Sequence, residues 1–158
     1  MEKTKKQKAE IEIYRRWMIR RDMVDVLEIE ALSFEFRWTE EDFVGALRKR
    51  NCIGRVAEHG EYVIGFMLYE LYKKEFRLVN FAVHPSWRRN GVGAGMIREM
   101  IRKLGPGRRT AIVVDVRETN LQAQLFFRSF GFRAVDVLRG FYEDSNEDAY
   151  RMEYWFKE

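Results

Sequence analysis

The chain has 158 residues, the length of one ordinary domain, which argues against a cofactor domain joined to a separate substrate domain. Hydrophobic residues make up 46% and aromatics 15%, above what a disordered chain carries, while 11 glycines and 2 prolines are too few for a collagenous or low-complexity sequence. No apolar run approaches the roughly 18 to 20 residues that cross a bilayer, so a soluble protein is expected and an integral membrane protein is not.

The net charge of +4 comes from 29 basic and 25 acidic residues, and residues 1–10 supply half of it through four lysines against two glutamates. That segment has no apolar centre and reads as a flexible basic tail rather than a secretory signal. Its other reading is an arm that touches nucleic acid or the ribosome. The single cysteine, Cys52, cannot close an internal disulfide and suits a reducing cytoplasm, as a small apolar residue rather than a nucleophile.

Alternation of Ile11, Ile13, Trp17 and Ile19 predicts a first strand. Asp22 is placed to cap a helix whose apolar stripe is Met23, Val26, Leu27, Ala31 and Phe34. After a loop over residues 34–38, Thr39 and Asp42 form a capping box that opens a second helix burying Phe43, Ala46 and Leu47. Residues 52–58 and 62–72 read as two strands of a hairpin turned at Gly60. Residues 78–83 are apolar on both faces except at Asn80, the pattern of a central strand in a covered sheet. Met96, Ile97, Met100, Ile101 and Leu104 line a helix stopped by Gly105-Pro106-Gly107. Residues 111–116 form another buried strand, Asn120 opens a helix through Leu121, Leu125 and Phe126, and residues 132–138 and 149–156 make two last strands. The order β-α-α-β-β-β-α-β-α-β-β has a β-α-β crossover at its middle, which makes those two strands parallel.

The most informative stretch is Phe81-Ala82-Val83-His84-Pro85-Ser86-Trp87-Arg88-Arg89-Asn90-Gly91-Val92-Gly93-Ala94-Gly95. A buried strand runs into a loop with two arginines and three glycines, and the loop runs into an amphipathic helix. Backbone N–H groups and the helix N-terminus together make an anion site suited to phosphate. A Walker loop would need a Lys-Ser or Lys-Thr pair, which is missing, and the spacing G-x-G-x-G with Asp115 further on does not fit a dinucleotide fingerprint.

Arg88-x-x-Gly91-x-Gly93 after a strand ending Ala82-Val83-His84-Pro85 resembles the acetyl-CoA pyrophosphate loop of the GCN5-related N-acetyltransferase (GNAT) superfamily. Within it, Val116-Arg117-Glu118-Thr119-Asn120, Ala123, Gly131-Phe132 and Arg139-Gly140-Phe141-Tyr142 resemble the RimI-type N-terminal acetyltransferases, which modify the N-terminal alanine of ribosomal protein S18. The resemblance covers residues 12–156 and is most specific over 80–150. It implies one α+β domain over residues 11–158, an α/β/α sandwich. Its mixed, mostly antiparallel sheet has seven strands, splayed between strands 4 and 5, with about four helices.

The resemblance also implies roles. Phe81, Ala82 and Val83 would hold the acetyl-pantetheine arm, Arg88, Arg89, Asn90, Gly91, Val92, Gly93 and Ala94 the pyrophosphate, and Asn120 and Phe127 the pantetheine. Asp115 stands where the RimI family carries its glutamate base; the plainer alternative is an Asp bonded to structural groups, since an unpaired buried carboxylate is costly. The family's tyrosine proton donor falls at Phe127, which cannot donate, so Tyr142 is the candidate replacement. Glu35 and Trp38, with Phe141 and Tyr142, would line the acceptor groove. Acids at Glu143, Asp144, Glu147 and Asp148 read either as a solvated turn or as an attraction for a basic peptide. The implied acceptor is a protein N-terminus such as that of ribosomal protein S18. A small amine, a lysine side chain, or a catalytically weak acetyl-CoA-binding module are the alternatives. His84 reads as a loop-ordering residue, no metal is expected, and neither a membrane nor a nucleic-acid partner is implied by the overall charge.

Overall fold

The computed structural model describes residues 12–158, so the basic tail and Ile11 lie outside the described residues. Among those described, seven strands form one sheet: β1 (Tyr14–Trp17), β2 (Cys52–His59), β3 (Tyr62–Leu71), β4 (Glu75–Val83), β5 (Ala111–Arg117), β6 (Arg133–Leu138) and β7 (Ala149–Trp155). Their spatial order is β1-β2-β3-β4-β5-β7-β6, antiparallel throughout except for the parallel pair β4 and β5. The α-helices are α1 (Met23–Ser33), α2 (Glu40–Leu47), α3 (Val92–Arg102) and α4 (Leu121–Ser129).

Two apolar clusters lie on opposite faces of the sheet. Met23, Val26, Ile29 and Phe43 of α1 and α2 pack on Val63, Phe66 and Leu68, whereas Met96, Ile97, Met100 and Phe127 of α3 and α4 pack with Ile64, Met67 and Tyr69. β3 therefore feeds both layers by alternation. The alternation shifts at a β-bulge: Ala57 faces Gly65 and Glu58 faces Val63, so Ile64 is an extra residue and the strand changes parity there.

Some expected stripes are corrected. β1 is an edge strand, and Trp17 and Ile19 are exposed where alternation put them inside. On α1 the structure buries Ile29 and Glu30 and exposes Ala31. Asp22 precedes α1 but makes no side-chain cap. Its carboxylate instead takes both nitrogens of the Arg16 fork, at 2.7 and 2.8 Å, and the Ile19 N–H at 2.8 Å. On α4, Leu121 and Leu125 are exposed and the buried residue is Phe127. The Thr39–Asp42 capping box forms as expected.

Candidate active site

The site begins where β4 parts from β5. The parallel pairing runs from Glu75 opposite Ala111 to Leu78 opposite Val114 and stops. On its other side β4 stays bonded to β3 as far as Val83, but Leu68 faces Asn80 and Tyr69 faces Leu78, so Val79 is the extra residue of a bulge. A bulge bends its strand and raises the local twist, which turns the last residues of β4 away from β5. Phe81 N–H donates to its neighbour's Asn80 Oδ1 at 2.8 Å, and the Val83 carbonyl accepts from Arg88 Nε at 3.3 Å. Both groups face away from β3, whereas His84 N–H returns to the Ile64 carbonyl.

One wall of the opening is the glycine loop. Gly91 caps α3 with φ of 76°, a left-handed conformation that costs other residues roughly 1–2 kcal/mol. Arg89 adopts φ of 66° without that exemption, a strain typical of functional loops. The N–H groups of Val92, Gly93 and Ala94 open the helix and have no acceptor within it. A Cβ on Gly93 would lie 3.1 Å from Phe81 Cζ, so glycine lets the helix start close to β4. Phe81, Ala82, Val83, Arg88, Arg89, Gly91, Val92, Gly93 and Ala94 all line a cavity of about 480 Å³, closed on its far side by Asn120, Phe126 and Phe127. Asn90 does not line it; its amide orders the loop by donating to the carbonyls of Trp87 and Arg88 at 3.2 and 3.1 Å. His84 Nδ1 accepts from Ser86 N–H at 3.1 Å, a loop-ordering bond. Asn120 Oδ1 is taken up as the cap of α4 by Ala123 N–H at 3.1 Å, and the residue lines the cavity from there.

A second cavity, of about 170 Å³, shares Phe34, Phe81, Asn120, Ala123 and Phe127 with the first and lies toward α1 and the β6–β7 loop. Trp38, Asp115 and Tyr142 line it. Glu35 and Phe141 do not: both are exposed, and the loop presents Phe34 and Phe36 to the cavity instead, while Phe141 packs edge-on against Tyr142.

Four neighbours of this cavity carry its electrostatics. Asp115 sits directly opposite Arg151 on β7 and holds its guanidinium through two bonds of 2.9 and 3.1 Å. Glu30 is 2% exposed and accepts from Trp38 N–H at 2.9 Å and Asn80 Nδ2 at 3.0 Å. Burial pushes its carboxyl up, against those two bonds. Tyr142 OH approaches the Asp115 carbonyl at 3.4 Å, and burial pushes the phenol up to about 12. Arg117, at the end of β5, stacks on the rings of Tyr142 and Phe36 at 3.8 and 4.9 Å and grips Asp144 with bonds of 3.0 and 2.7 Å. Asp144 and Glu147 are thus tied to Arg117, and Asp148 to Arg139, so of the four acids of this loop only Glu143 has no ion-pair partner among the described residues. Glu30 and Arg117 line this cavity and Arg151 adjoins it through Asp115, and none of the three is singled out by the sequence alone. The available signals were an acid on the apolar stripe of α1, the arginine of the Val-Arg-x-x-Asn run, and a base facing Asp115 across a strand pair.

Among the described residues, no group of three or more His, Cys, Asp or Glu side chains could hold a metal ion. No helix among them is long and apolar enough to cross a membrane.

A sheet that opens between two parallel strands, beside a glycine turn entering a helix, defines an acyl-CoA transferase of the GNAT type. The model of the Acetyltransferase (GNAT) family matches residues 16–132, and the chain belongs to that family. It is an acetyl-CoA-dependent N-acetyltransferase. Among curated relatives, the [ribosomal protein bS18]-alanine N-acetyltransferase of Escherichia coli K12 is 26% identical over 133 residues, covering 83% of this chain and 89% of that one. The crystal structure of the ribosomal-protein-S18-alanine N-acetyltransferase from Escherichia coli superposes with a TM-score of 0.81 at 22% identity, covering 93% of this chain and 96% of that chain. Arabidopsis thaliana NAA60 in complex with acetyl-CoA superposes with a TM-score of 0.78 at 20% identity, over 91% and 99% of the two chains.

Proposed function

We propose that this protein, as a single cytoplasmic domain, acetylates the N-terminal α-amine of a protein, with ribosomal protein S18 the favoured acceptor. The observation that carries this reading is the pair of joined cavities: the wider one fits a phosphate-bearing donor, and the narrow one admits a chain end between Trp38 and Tyr142. Left-handed Gly91, the free N–H groups that open α3, and Arg88 and Arg89 fit a pyrophosphate. Phe81 and Val83 offer backbone polar groups to an extended amide arm, and Phe127 and Asn120 bound that arm where the cavities meet. The partly buried Cys52 thiol fits a reducing compartment.

Acetyl-CoA supplies a thioester carbonyl, at which a C–N bond forms as the C–S bond breaks. The chain's residues must accept one proton from the amine and return one to the departing sulfur. A free α-amine has a pKa of about 8, so a modest base is enough. Asp115 is the first candidate, acting through a water, since both its oxygens are held by Arg151. A specific observation favours a second: Glu30 lines the same cavity, and its proton affinity is raised by burial. Tyr142 is the candidate proton donor; its phenol is protonated at neutral pH, as any tyrosine is, and burial, by raising its pKa to about 12, makes it the weaker acid, so its help to the departing sulfur is chiefly a hydrogen bond, with solvent completing the proton transfer.

The deciding experiment gives the protein acetyl-CoA and a peptide matching the S18 N-terminus and locates the added mass. Acetylation of the α-amine is expected. Modification confined to lysine or to small amines, or binding without turnover, would replace the reading. In the same assay Asp115→Asn and Glu30→Gln separate the two bases: the variant that loses roughly 100-fold in kcat near neutral pH, with donor affinity kept, identifies the acceptor of the proton.

A further inference from the structure

The molecule is electrically lopsided in a way its net charge conceals. Segments 48–51, 72–74 and 102–110 contain nine Lys or Arg residues and no Asp or Glu. All three are turns at one end of the sheet. They precede β2, join β3 to β4, and join α3 to β5. They are also bonded to one another: Leu71 N–H to the Asn51 carbonyl at 2.7 Å, Thr110 N–H to the Lys74 carbonyl at 2.9 Å, and Arg109 Nε to the Tyr72 carbonyl at 2.6 Å.

Arg48, Lys49, Arg50, Lys73, Lys74, Arg102, Lys103 and Arg108 are exposed. Of the nine, only Lys49 has a carboxylate at ion-pair distance among the described residues, Glu70 at 3.2 Å. Half-buried bases elsewhere on the sheet are paired, as Arg16, Arg55, Arg117 and Arg151 all are. Arg102 and Lys103 end a helix, where a cation is favourable in its own right. Lys49 has Glu70, and Arg109 has the Tyr72 carbonyl and the Phe76 ring at 5.3 Å. The other five have no such local reason, and like charges gathered on adjacent turns repel unless an anion joins them. Tyr72 and Trp155, both part-exposed, stand at the same end, since Trp155 faces Ala111 at the start of β5.

We infer that this end of the sheet is a docking surface for RNA, lying about 27 Å from the active-site end along β4, by the rise of a nine-residue strand. Cations on neighbouring turns match a phosphodiester backbone, and Trp155 offers a stacking face for an unpaired base, with the Tyr72 ring, covered on one side by Arg77 at 4.8 Å, a second on its other side. A lipid surface fits less well, because no aliphatic or Phe side chain of these turns is among the exposed large hydrophobics. The choice of RNA rests on the ribosomal acceptor proposed above. The site of chemistry is at the opposite end of the strands, so a docked enzyme keeps its acceptor groove free.

The test is binding of the whole protein to a fluorescent ribosomal RNA stem-loop at 50 and 200 mM salt. Neutralising about four phosphates of a single strand predicts a loss of roughly 50-fold in affinity between those salts. Lys73→Glu, Lys74→Glu and Arg108→Glu together should cost at least tenfold at 50 mM. A Gln version of the triple variant, checked by its melting curve, guards against misfolding. Acetylation of the S18 peptide should be unchanged in every variant. The inference is overturned by no binding at 50 mM salt, by binding that survives the triple change, or by tighter binding to anionic vesicles than to RNA. Failure of the acceptor reading would show separately, as absent peptide acetylation in the unaltered protein.

Discussion

Gly91 shows how one backbone angle can decide whether a ligand is held. With φ of 76° and nothing within 4 Å of its missing Cβ, the position resists substitution through backbone strain rather than crowding. Gly91→Glu adds to that strain a carboxylate at an anion site, and the expected outcome is loss of acetyl-CoA binding by calorimetry, with retained affinity removing the loop from the site. Phe127 tests the opposite case, a function that could be restored. It is 3% exposed at the junction of the two cavities, where the family's tyrosine would stand. Phe127→Tyr is expected to raise kcat severalfold if a proton to sulfur limits the rate, and an unchanged kcat would mean that Tyr142 or solvent already suffices. Such residues differ in how visible they are from the sequence. Gly91 and Phe127 stand in local motifs, whereas Glu30 acquires its meaning from Asn80, fifty positions away, and Asp115 from Arg151 on another strand.

The two loops that bound the smaller cavity come from opposite ends of the chain, and Arg117 joins them. Exposed ion pairs contribute little alone, so the bond to Asp144 does not by itself hold the loop. The Tyr142 and Phe36 stacks and the Ser145 contact at 3.2 Å give the guanidinium its place. Arg117→Leu is expected to raise the peptide KM about tenfold, leaving the acetyl-CoA KM within twofold, and Arg117→Lys should rescue little, because an ammonium has neither the plane nor the fork. A matched rise in both constants would point to general disruption. Element order, the hairpin at Gly60 and the capping box at Thr39 are all legible in the sequence, because each depends on local chemistry. The exposed face of β1 and the parity change at Ile64 are not, because both depend on which strand lies alongside.

Across the whole molecule, pH acts on stability through the joint between β1 and α1. Burial alone would raise the Asp22 carboxyl, but bonds from Arg16 and Ile19 N–H hold it below its ordinary value. A depressed carboxylate adds stability above the unfolded pKa of about 3.9 and loses it as pH falls through the folded value. Asp22→Asn should therefore cost roughly 2 kcal/mol in urea unfolding at pH 6, with the gap from the unaltered protein closing as the pH drops below about 4. A gap independent of pH would assign the loss to packing. The sheet has a second joint, the short pairing of Glu75–Leu78 with Ala111–Val114. Strands β1 to β4 and strands β5, β7 and β6 meet only along that seam, so the amides of β4 beyond Val79 lack a ladder on one side. Any extended ligand that bonds Phe81 and Val83 acts there as a borrowed strand. The two halves then become one cooperative unit, and the slowest-exchanging amides of the loaded enzyme extend into the strand where the free enzyme opens first.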